Sequence, residues 1–204
     1  AQGLHGDDVA HRAVARGQVD VVQPALRAGG DDHLIGRQLQ FIDQVCFILA
    51  DFMGGAVQAR EFLQQRGFDE AACARFGVGY APRGWDGLTK HLSAQGYTQK
   101  ELAQSGLASE GQRGVYDRFR GRIVWPIRDT SGQTVGFGAR KLYEDDNGPK
   151  YLNTAETSVF HKKRNLYGFN WAKEFIVAQD TAIVVEGYTD CIACWEAGIK
   201  NVVA

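Results

Sequence analysis

The fold class is decided near the end of the chain, by Thr181-Ala-Ile-Val-Val-Glu-Gly-Tyr-Thr-Asp190. Its first five residues form a continuous apolar run, which is typical of a strand buried on both faces of a parallel sheet. Residues 188–197 then predict a helix that ends at Gly198, and Val202 and Val203 begin a second strand. A strand, a helix and a second strand form a βαβ unit. We therefore expect an α/β fold with a parallel sheet in this part of the chain.

Two acids follow the first of these strands. Glu186 ends the apolar run, and Asp190 comes four residues later, near the start of the helix. Ligands of open α/β sheets bind outside the carboxyl ends of the strands, and two carboxylates at that point could hold Mg²⁺. The same two acids could instead cap the helix and complement its dipole. The spacing alone leaves both interpretations open.

The charges of the chain are nearly balanced but unevenly distributed. The 204 residues hold 23 Lys or Arg and 24 Asp or Glu, a formal net charge of −1, so any strong attraction to nucleic acid must come from a local patch. Residues 113–164 form such a patch, with eleven Lys or Arg, six Asp or Glu and a net charge of +5. The apolar fraction of 44% and the charged fraction of 23% are near the globular average, which excludes global disorder, collagen-like and coiled-coil structures.

Aromatic residues are interleaved with the basic ones in this stretch. Arg118, Arg120 and Arg122 alternate, so in an extended chain they would point to one side. The interleaved rings belong to Tyr116, Phe119, Tyr151, Phe160 and His161. Basic grooves with aromatic faces suit single-stranded nucleic acid, although a solvated surface of mixed charge would show the same pattern. His161 has no Ser or Cys nucleophile signature near it, and we interpret it as structural or as part of the basic cluster.

Helices and short strands are predicted upstream of the βαβ unit. The periodicity and the helix-ending glycines predict helices over residues 56–66, 70–76, 85–94, 98–105 and 168–178. Asp69 is the expected N-cap of the second, and Thr98 to Glu101 fits a capping box for the fourth. Residues 77–82 predict a short strand, and residues 122–128 and 134–140 predict a hairpin around a turn that contains Gly132. We interpret residues 143–149 as a polar loop and residues 150–154 as lying in a loop.

The cysteines and the hydropathy exclude other classes. Cys46, Cys73, Cys191 and Cys194 are too few and too scattered for a disulfide framework, so we expect idle or buried thiols in a reducing cytoplasm. A metal or redox role for the C-x-x-C of the last two is disfavoured, since no second ligand pair stands at zinc-finger spacing. No apolar run is long enough to span a membrane, and no signal peptide is visible.

Taken together, these segments resemble the catalytic core of bacterial DNA primase from about Val57 to Ala204. The matching stretches are, in order, Arg60-Glu-Phe-Leu63 with Arg66-Gly67, Arg75-Phe-Gly-Val-Gly-Tyr-Ala-Pro82 with Trp85, Tyr116-Asp-Arg-Phe-Arg-Gly-Arg-Ile-Val-Trp-Pro-Ile-Arg-Asp129, Gly136-Phe-Gly-Ala-Arg140, Pro149-Lys-Tyr-Leu-Asn-Thr-Ala-Glu-Thr157, Phe160-His-Lys162, Leu166-Tyr-Gly168 and Val184-Val-Glu-Gly-Tyr-Thr-Asp190. Each stretch is weak alone, but eight in the right order are specific.

The resemblance implies an α+β N-terminal subdomain that leads into the first βαβ unit of a Toprim fold. In this family the acid that ends the first Toprim strand, here Glu186, helps bind catalytic Mg²⁺ or Mn²⁺, and Asp190 matches the acid that follows on the helix. The family's basic ridge, which handles the template and the incoming nucleotide, corresponds to Arg66, Arg120, Arg140, Lys150, Tyr151, Asn153 and Lys162.

The implied activity is the synthesis of short RNA primers on DNA. A ribose 3′-hydroxyl would attack the α-phosphorus of a nucleotide, while divalent ions stabilise the attacking and leaving oxygens. The implied partners are a single-stranded DNA template, ribonucleoside triphosphates and the replicative helicase, and a cytoplasmic monomer without a membrane is expected. The alternatives are a single-stranded DNA-binding module without catalysis, and another Toprim protein such as a topoisomerase or nuclease; the basic stretches outside Toprim argue against the latter.

Three departures from the family lead us to expect a fragment. The family's N-terminal zinc ribbon uses Cys and His ligands, and Cys46 is the one cysteine among residues 1–53. The family's later Asp-x-Asp metal ligands would fall after Ala204, and so would the helicase-docking domain. We therefore predict an unassigned, disordered or non-native segment over residues 1–55, the N-terminal subdomain of the primase core over 56–178, and a truncated Toprim domain over 179–204.

Overall fold

The computed structural model describes residues 13–15, 42 and 56–204 of the chain. The sequence-based predictions for the rest of residues 1–55 lie outside these described residues. The described residues fall into two compact units, one made of residue 42 and residues 56–165 and the other of residues 13–15 together with Leu166–Ala204. Helices and strands occur in both units, which confirms the predicted α/β class.

The larger unit begins with two short helices, α1 (Val57–Gln64) and α2 (Glu70–Phe76). The predicted cap of α2 is confirmed, because the Asp69 carboxylate accepts a hydrogen bond from the backbone N–H of Ala72 at 2.7 Å. Gly77 ends α2 in the left-handed region at φ 66°, which costs glycine little because it has no Cβ. The chain turns there into strand β2 (Gly79–Ala81).

Two further helices follow β2. They are α3 (Gly87–Ala94) and α4 (Gln99–Gln104). The predicted capping box of α4 is present: the Thr98 hydroxyl accepts from the backbone N–H of Glu101, and the Glu101 carboxylate accepts from the backbone N–H of Thr98. Both helices turn leucines inward, with Leu92 and Leu102 almost completely buried.

A hairpin of polar residues comes next, and the sequence did not predict it. Strands β3 (Ala108–Gly111) and β4 (Gly114–Asp117) pair in antiparallel register, with Gly111 opposite Gly114. The Ser-Glu-Gly-Gln-Arg-Gly sequence at its tip has none of the β-branched or aromatic residues that usually mark strands. The signal for this hairpin therefore lies in its tertiary setting.

The predicted central hairpin is confirmed as β5 (Arg122–Arg128) and β6 (Thr134–Lys141). These strands form an antiparallel sheet of order β2-β5-β6-β7, in which β7 is Tyr151–Asn153. Pro126 is tolerated in β5 because β2 pairs only with residues 122–124, so no ladder bond is lost at the proline. The sheet packs its buried residues, such as Val124 and Phe137, into one core with the leucines of α3 and α4.

The smaller unit contains the predicted βαβ arrangement. Helix α5 (Phe169–Gln179) precedes strand β8 (Ala182–Val184), helix α6 (Tyr188–Glu196) and strand β9 (Val202–Val203). Strands β8 and β9 are parallel, and β1 (Ala13–Ala15) pairs antiparallel with the other edge of β8. Since a short βαβ connection joins parallel strands, this part of the prediction is confirmed.

One detail of this unit differs from the sequence-based predictions. The prediction of burial on both faces of β8 is wrong, since Val184 is 40% exposed: α5 covers Ala182 and Val203 but leaves Val184 open among the described residues. Helix α5 packs on β9 and belongs to the same compact unit, and the domain boundary between residues 178 and 179 stays a prediction.

The cysteines of the described residues, Cys73, Cys191 and Cys194, are all free. Cys191 is completely buried, and this burial raises the pKa of its thiol to about 12, so it is inert at neutral pH. Cys46 lies outside the described residues. No helix in the described part of the chain has both the length and the apolar character needed to cross a membrane.

Candidate nucleic-acid interface

The edge strand β7 brings three of the predicted ridge residues into the central sheet. Its register places Tyr151 opposite Arg140 and Asn153 opposite Gly138, and the backbone N–H of Lys141 donates to the carbonyl of Lys150 at 2.9 Å. The interpretation of this segment as a loop is therefore wrong for Tyr151–Asn153. The residues carry weak local strand signals, and it is pairing with β6 that makes them a strand.

The turn after helix α1 and strand β6 place two arginines over the same aromatic ring, that of Phe62 in α1. The guanidinium carbon of Arg66 lies 3.6 Å from the ring centroid of Phe62, and that of Arg140 lies 4.1 Å from it. Cation–π attraction holds both groups there. Lys150 directly precedes the adjacent strand β7, and its ammonium lies 5.6 Å from the ring centroid of Tyr151. We call Phe62, Arg66, Arg140, Lys150 and Tyr151 the basic face.

The electrostatics of the basic face favour an anion. The pKa of Arg66 is lowered, first by partial burial and then by the neighbouring positive charge of Arg140, while Tyr151 acts in the opposite direction. Two like charges held over one ring repel each other, and a phosphate between them would relieve that repulsion. A guanidinium can also bind a phosphate through two parallel hydrogen bonds.

Tyr151 supplies an exposed aromatic surface beside these charges, because 61% of its area remains accessible. Asn153 lies two residues along the same strand and therefore on the same side of the sheet. Its backbone carbonyl accepts hydrogen bonds from Nε and Nη2 of Arg118, at 3.2 and 3.1 Å. The structure thus brings Arg66, Arg140, Lys150, Tyr151 and Asn153 into one region formed by α1, β6 and β7.

A second aromatic and cationic group is built by the loop before α3 and by strand β4. The Arg120 guanidinium lies 4.2 Å from the centroid of Trp85 and 5.2 Å from that of Tyr116, and the two rings meet edge to face at 5.6 Å. Trp85 is 64% exposed. We call these three residues the Trp85 group. Exposed aromatic faces of this kind can stack on nucleic-acid bases.

The alternation of Arg118, Arg120 and Arg122 does not place them on one side, so that expectation is wrong. Arg118 and Arg120 precede the strand, and only Arg122 belongs to β5. The Arg122 side chain is 4% exposed and forms a salt bridge to Asp146. Local pairing decides the direction of each side chain, because the stretch is not a continuous extended strand.

The interleaved rings also divide between the core and the surface. Phe119 and Phe160 are almost completely buried and serve the core, so they are not available to bases. Tyr151 stays on the surface. Phe62 had no predicted role, although it lies in α1 four residues before Arg66, and this spacing could have revealed the pair.

Lys162 lies in a 3₁₀ helix, Lys162–Arg164, away from the contacts that define the basic face. Its backbone N–H donates to the Glu156 carboxylate at 2.9 Å, and that carboxylate also pairs with the His161 ring at 3.0 Å. The pKa of Glu156 is lowered, mainly by the Lys162 hydrogen bond and then by the bond with His161. His161 thus contacts Glu156, and its assignment as structural or as part of the basic cluster stays a prediction.

The two predicted metal ligands lie in the smaller unit. Glu186 occupies the bend between β8 and α6, and Asp190 lies in the first turn of α6. Both side chains are exposed, and the Asp190 carboxylate folds back so that a Cβ on Gly187 would lie 3.1 Å from its Oδ2. The residues described by the structure contain no group of three or more His, Cys, Asp or Glu that could hold a metal ion. Two carboxylates with water and phosphate ligands still match the chemistry of Mg²⁺.

Residues 52–173 match the family model described as "DNA primase catalytic core, N-terminal domain". A DNA primase of Streptomyces coelicolor is 58% identical over 145 residues, which cover 71% of this chain and 23% of the relative. The chain thus spans about a quarter of the length of the curated relatives it matches.

Solved structures agree with this match. The RNA polymerase domain of the Mycobacterium tuberculosis primase DnaG, in complex with a double-stranded DNA oligomer that has a 6-nucleotide overhang, superposes with a TM-score of 0.80 at 43% identity. The match covers 83% of this chain and 54% of that one. A DnaG primase catalytic domain bound to single-stranded DNA superposes with a TM-score of 0.74 at 36% identity, covering 84% of this chain and 54% of that one.

Proposed function

The chain belongs to the DNA primase family, and from that premise we propose that it takes part in the DNA-templated synthesis of RNA primers for replication. The proposal is carried by one observation: Arg66 and Arg140 share the ring of Phe62 beside an exposed Tyr151. That arrangement offers charge for phosphates and a ring for bases, the two things that single-stranded DNA requires.

In the proposed complex the basic face holds the template strand. The guanidinium groups of Arg66 and Arg140 and the ammonium of Lys150 neutralise phosphates, while Tyr151 stacks on a base. Asn153, on the same side of β7, can hydrogen-bond a sugar or a base edge. Arg120 in the Trp85 group and the exposed Lys162 supply further contacts to the template or to the incoming ribonucleoside triphosphate.

For nucleotidyl transfer, Glu186 and Asp190 would hold Mg²⁺ or Mn²⁺, and their oxygen ligands suit either ion. The ion, when bound, stabilises the negative charge on the attacking and leaving oxygens of the phosphoryl group. The chain's own contribution is to keep the two carboxylates at the carboxyl end of β8. The positive end of the helix dipole also favours negative groups at that position.

The wider setting of the activity follows from the family. We propose that the protein works in the primosome as a cytoplasmic monomer with the replicative helicase. A structural Zn²⁺ belongs to the N-terminal part of the family, and the residues that could show it lie outside the described ones. The reading as a topoisomerase-like or nuclease-like Toprim protein is set aside, because the matching family model covers residues 52–173, ahead of the βαβ unit.

The central test measures binding of a fluorescent single-stranded DNA oligomer by the Lys150→Ala variant across a range of salt concentrations. We expect the affinity to fall about fivefold at about 0.1 M salt, and the log–log slope to lose ~0.7, since one phosphate contact contributes that amount on single strands. Lys100→Ala, which removes an exposed lysine from α4, serves as the control. An unchanged affinity and slope for Lys150→Ala would contradict the proposal.

A single-stranded DNA-binding module without catalysis remains the second candidate function. The observation that favours it is the basic face itself, whose cations and exposed ring can hold DNA without a metal ion. Incubation with a single-stranded template, ribonucleotides and Mg²⁺ or Mn²⁺ separates the two functions. Dinucleotide products support the enzyme, and DNA binding without any product supports the module.

A further inference from the structure

Arg122 and Asp146 form an ion pair beneath the segment that leads to Lys150. Nη2 of Arg122 donates to Oδ2 of Asp146 at 2.6 Å, and Nη1 donates to the carbonyl of Pro149 at 2.9 Å. The other carboxylate oxygen of Asp146 accepts from the backbone N–H of Gly148 at 2.7 Å. One arginine and one aspartate therefore hold two backbone positions immediately before Lys150.

The close fit of the backbone at Gly148 shows how tightly this segment is held. A Cβ on Gly148 would lie 2.8 Å from Oδ1 of Asp146 and 2.9 Å from Nη2 of Arg122, closer than Cβ atoms normally approach other atoms. Arg122 has little freedom to move aside, since its side chain is 4% exposed. A residue without a side chain is thus required for the ion pair and the backbone to meet.

Burial explains why this arginine does not behave like the other cations of the basic patch. Taking two charges out of water is costly unless each finds a charged partner and further hydrogen bonds. Arg122 has both, and its guanidinium is directed to the protein rather than to solvent. Its position in β5, opposite Lys141 of β6, ties the segment between β6 and β7 to the central sheet.

We propose that Arg122 and Asp146 are a positioning pair, which fixes residues 146–149 so that Lys150 and Tyr151 stand in register on the basic face. The inference rests on the proposed DNA-binding function and assigns these two residues a role that the sequence pattern did not. Arg122 acts through the backbone of Pro149 and does not itself contact the nucleic acid. Asp146, an acid within a DNA-binding surface, strengthens binding.

This role predicts an effect opposite in sign to that of simple electrostatics. Removing a negative charge near bound DNA normally leaves the affinity unchanged or raises it. Asp146→Ala should instead lower the affinity for a single-stranded DNA oligomer about fivefold at about 0.1 M salt, because the Lys150 contact is lost with the segment that presents it. Glu144→Ala is the matched control, since it removes the same charge from an exposed position two residues away.

A variant that changes no charge tests the same geometry. Gly148→Ala should weaken DNA binding by a similar factor, because its Cβ separates Asp146 from Arg122, whereas Asn147→Ala, at the exposed neighbouring position, should bind like the unmodified chain. Asp146→Asn keeps the size of the side chain and one oxygen acceptor. We expect it to fall between Asp146→Ala and the unmodified chain.

A double-mutant cycle then distinguishes positioning from an independent contact. If Asp146 acts through Lys150, adding Lys150→Ala to Asp146→Ala lowers the affinity little further and leaves the salt slope as it is in the single variants. Additive losses would overturn the inference, and so would tighter binding by Asp146→Ala. If Lys150→Ala alone binds like the unmodified chain, the proposed function fails first and the inference fails with it.

Hydrogen exchange, followed on the full chain without DNA, keeps the inference testable if a variant is unstable. The backbone N–H of Gly148 donates to Asp146, and that of Lys141 donates to the Lys150 carbonyl. In Asp146→Asn both amides should exchange faster, while the amides of β5 keep their protection. Unchanged protection at Gly148 and Lys141 would show that the pair does not hold the segment and would overturn the inference.

Discussion

The basic face and the acidic end of β8 differ in how much of the protein supports them. On the basic face, Arg66 and Arg140 share one ring, and a partly buried ion pair holds the segment before Lys150. At the acidic end, Glu186 and Asp190 are exposed and lie in a bend and a first helical turn. The described part of the chain brings no third metal-ligating side chain to them.

The difference shows what each kind of site requires. Cations on a sheet can be fixed by rings, strand register and backbone carbonyls, all of which a single packed unit contains. A metal centre needs several oxygen ligands at one point, and two carboxylates supply only part of them. The basic face should therefore be sensitive to the residues that frame it, whereas the acidic end should respond mainly in its affinity for ions.

The largest expected effect is a loss of folding stability when Asp117, which lies next to the Trp85 group, is replaced. Asp117 is buried, and its carboxylate accepts hydrogen bonds from the backbone N–H groups of Leu88 and Thr89, both at 2.8 Å. Its own N–H donates to the carbonyl of Trp85. Asp117→Ala leaves two buried donors unpaired, so the free energy of unfolding should fall by about 2–4 kcal/mol. Urea denaturation measures this loss.

The matched control for that variant lies at the same helix end. Asp86 is the N-cap residue of α3 but makes no side-chain capping bond, and its ion pair with Lys90 is largely exposed. Asp86→Ala should therefore cost less than about 1 kcal/mol. If Asp117→Ala and Asp86→Ala lowered the free energy of unfolding equally, the buried carboxylate of Asp117 would not have the stabilising role described.

A smaller effect is expected on binding at Tyr151. Because the ring is 61% exposed, Tyr151→Ala should barely change the unfolding free energy. It should weaken single-stranded DNA binding by about 1–3 kcal/mol, the value of one base–aromatic stacking contact. Fluorescence anisotropy measures the affinity, and Tyr151→Phe, which keeps the ring, should bind nearly as the unmodified chain does. A loss as large for phenylalanine as for alanine would assign the effect to the hydroxyl.

At the acidic end, a substitution is expected to change the affinity for divalent ions but not the stability of the fold. Glu186→Gln removes one of two carboxylates, and the affinity for Mn²⁺ should fall roughly tenfold, or about 1.4 kcal/mol, without a change in melting temperature. Calorimetric titration with Mn²⁺ tests this, with Glu174→Gln on the exposed side of α5 as control. Retention of the full Mn²⁺ affinity would remove Glu186 from the proposed metal site.

The smallest expected effect is a pH dependence of the folding stability that Glu156 contributes. Hydrogen bonds from Lys162 and His161 favour its charged form and lower its pKa from the ordinary 4.5. The folded state therefore binds this proton less readily than the unfolded state, so the contribution to stability is present above pH ~4.5 and disappears as the pH falls through the lowered pKa. An NMR titration should show the Lys162 amide shifting with a midpoint below the ordinary 4.5 of a glutamate, and a midpoint at or above 4.5 would contradict the assignment.

Much of the fold could be predicted because its signals are local. The Asp69 cap, the Thr98 capping box and the central hairpin each depend on residues within a few positions, and all three are confirmed. The β3–β4 hairpin was missed because its tip is polar and lacks strand formers. The segment at Tyr151 was taken for a loop because only pairing with β6 makes it a strand.

The candidate site could be predicted in part. The resemblance to the family identified Arg66, Arg140, Lys150 and Tyr151, which the structure brings into one region. It did not identify Phe62. The alternation of Arg118, Arg120 and Arg122 predicted one common surface, but the structure places each of the three side chains in a different environment. Lys162 and Arg120 remain predicted ligands that lie outside the contacts of the basic face.

By itself the sequence determined the class of fold, the positions of helix ends and turns, the excess of positive charge over residues 113–164 and membership of a family. The tertiary structure alone decided which charges meet: that Arg66 and Arg140 lie over Phe62, and that Arg122 is buried against Asp146, 24 residues away. The physical reason is the distance along the sequence over which each kind of interaction acts. Caps, turns and alternation act between near neighbours, whereas burial and ion pairing depend on segments that only the packed fold brings together.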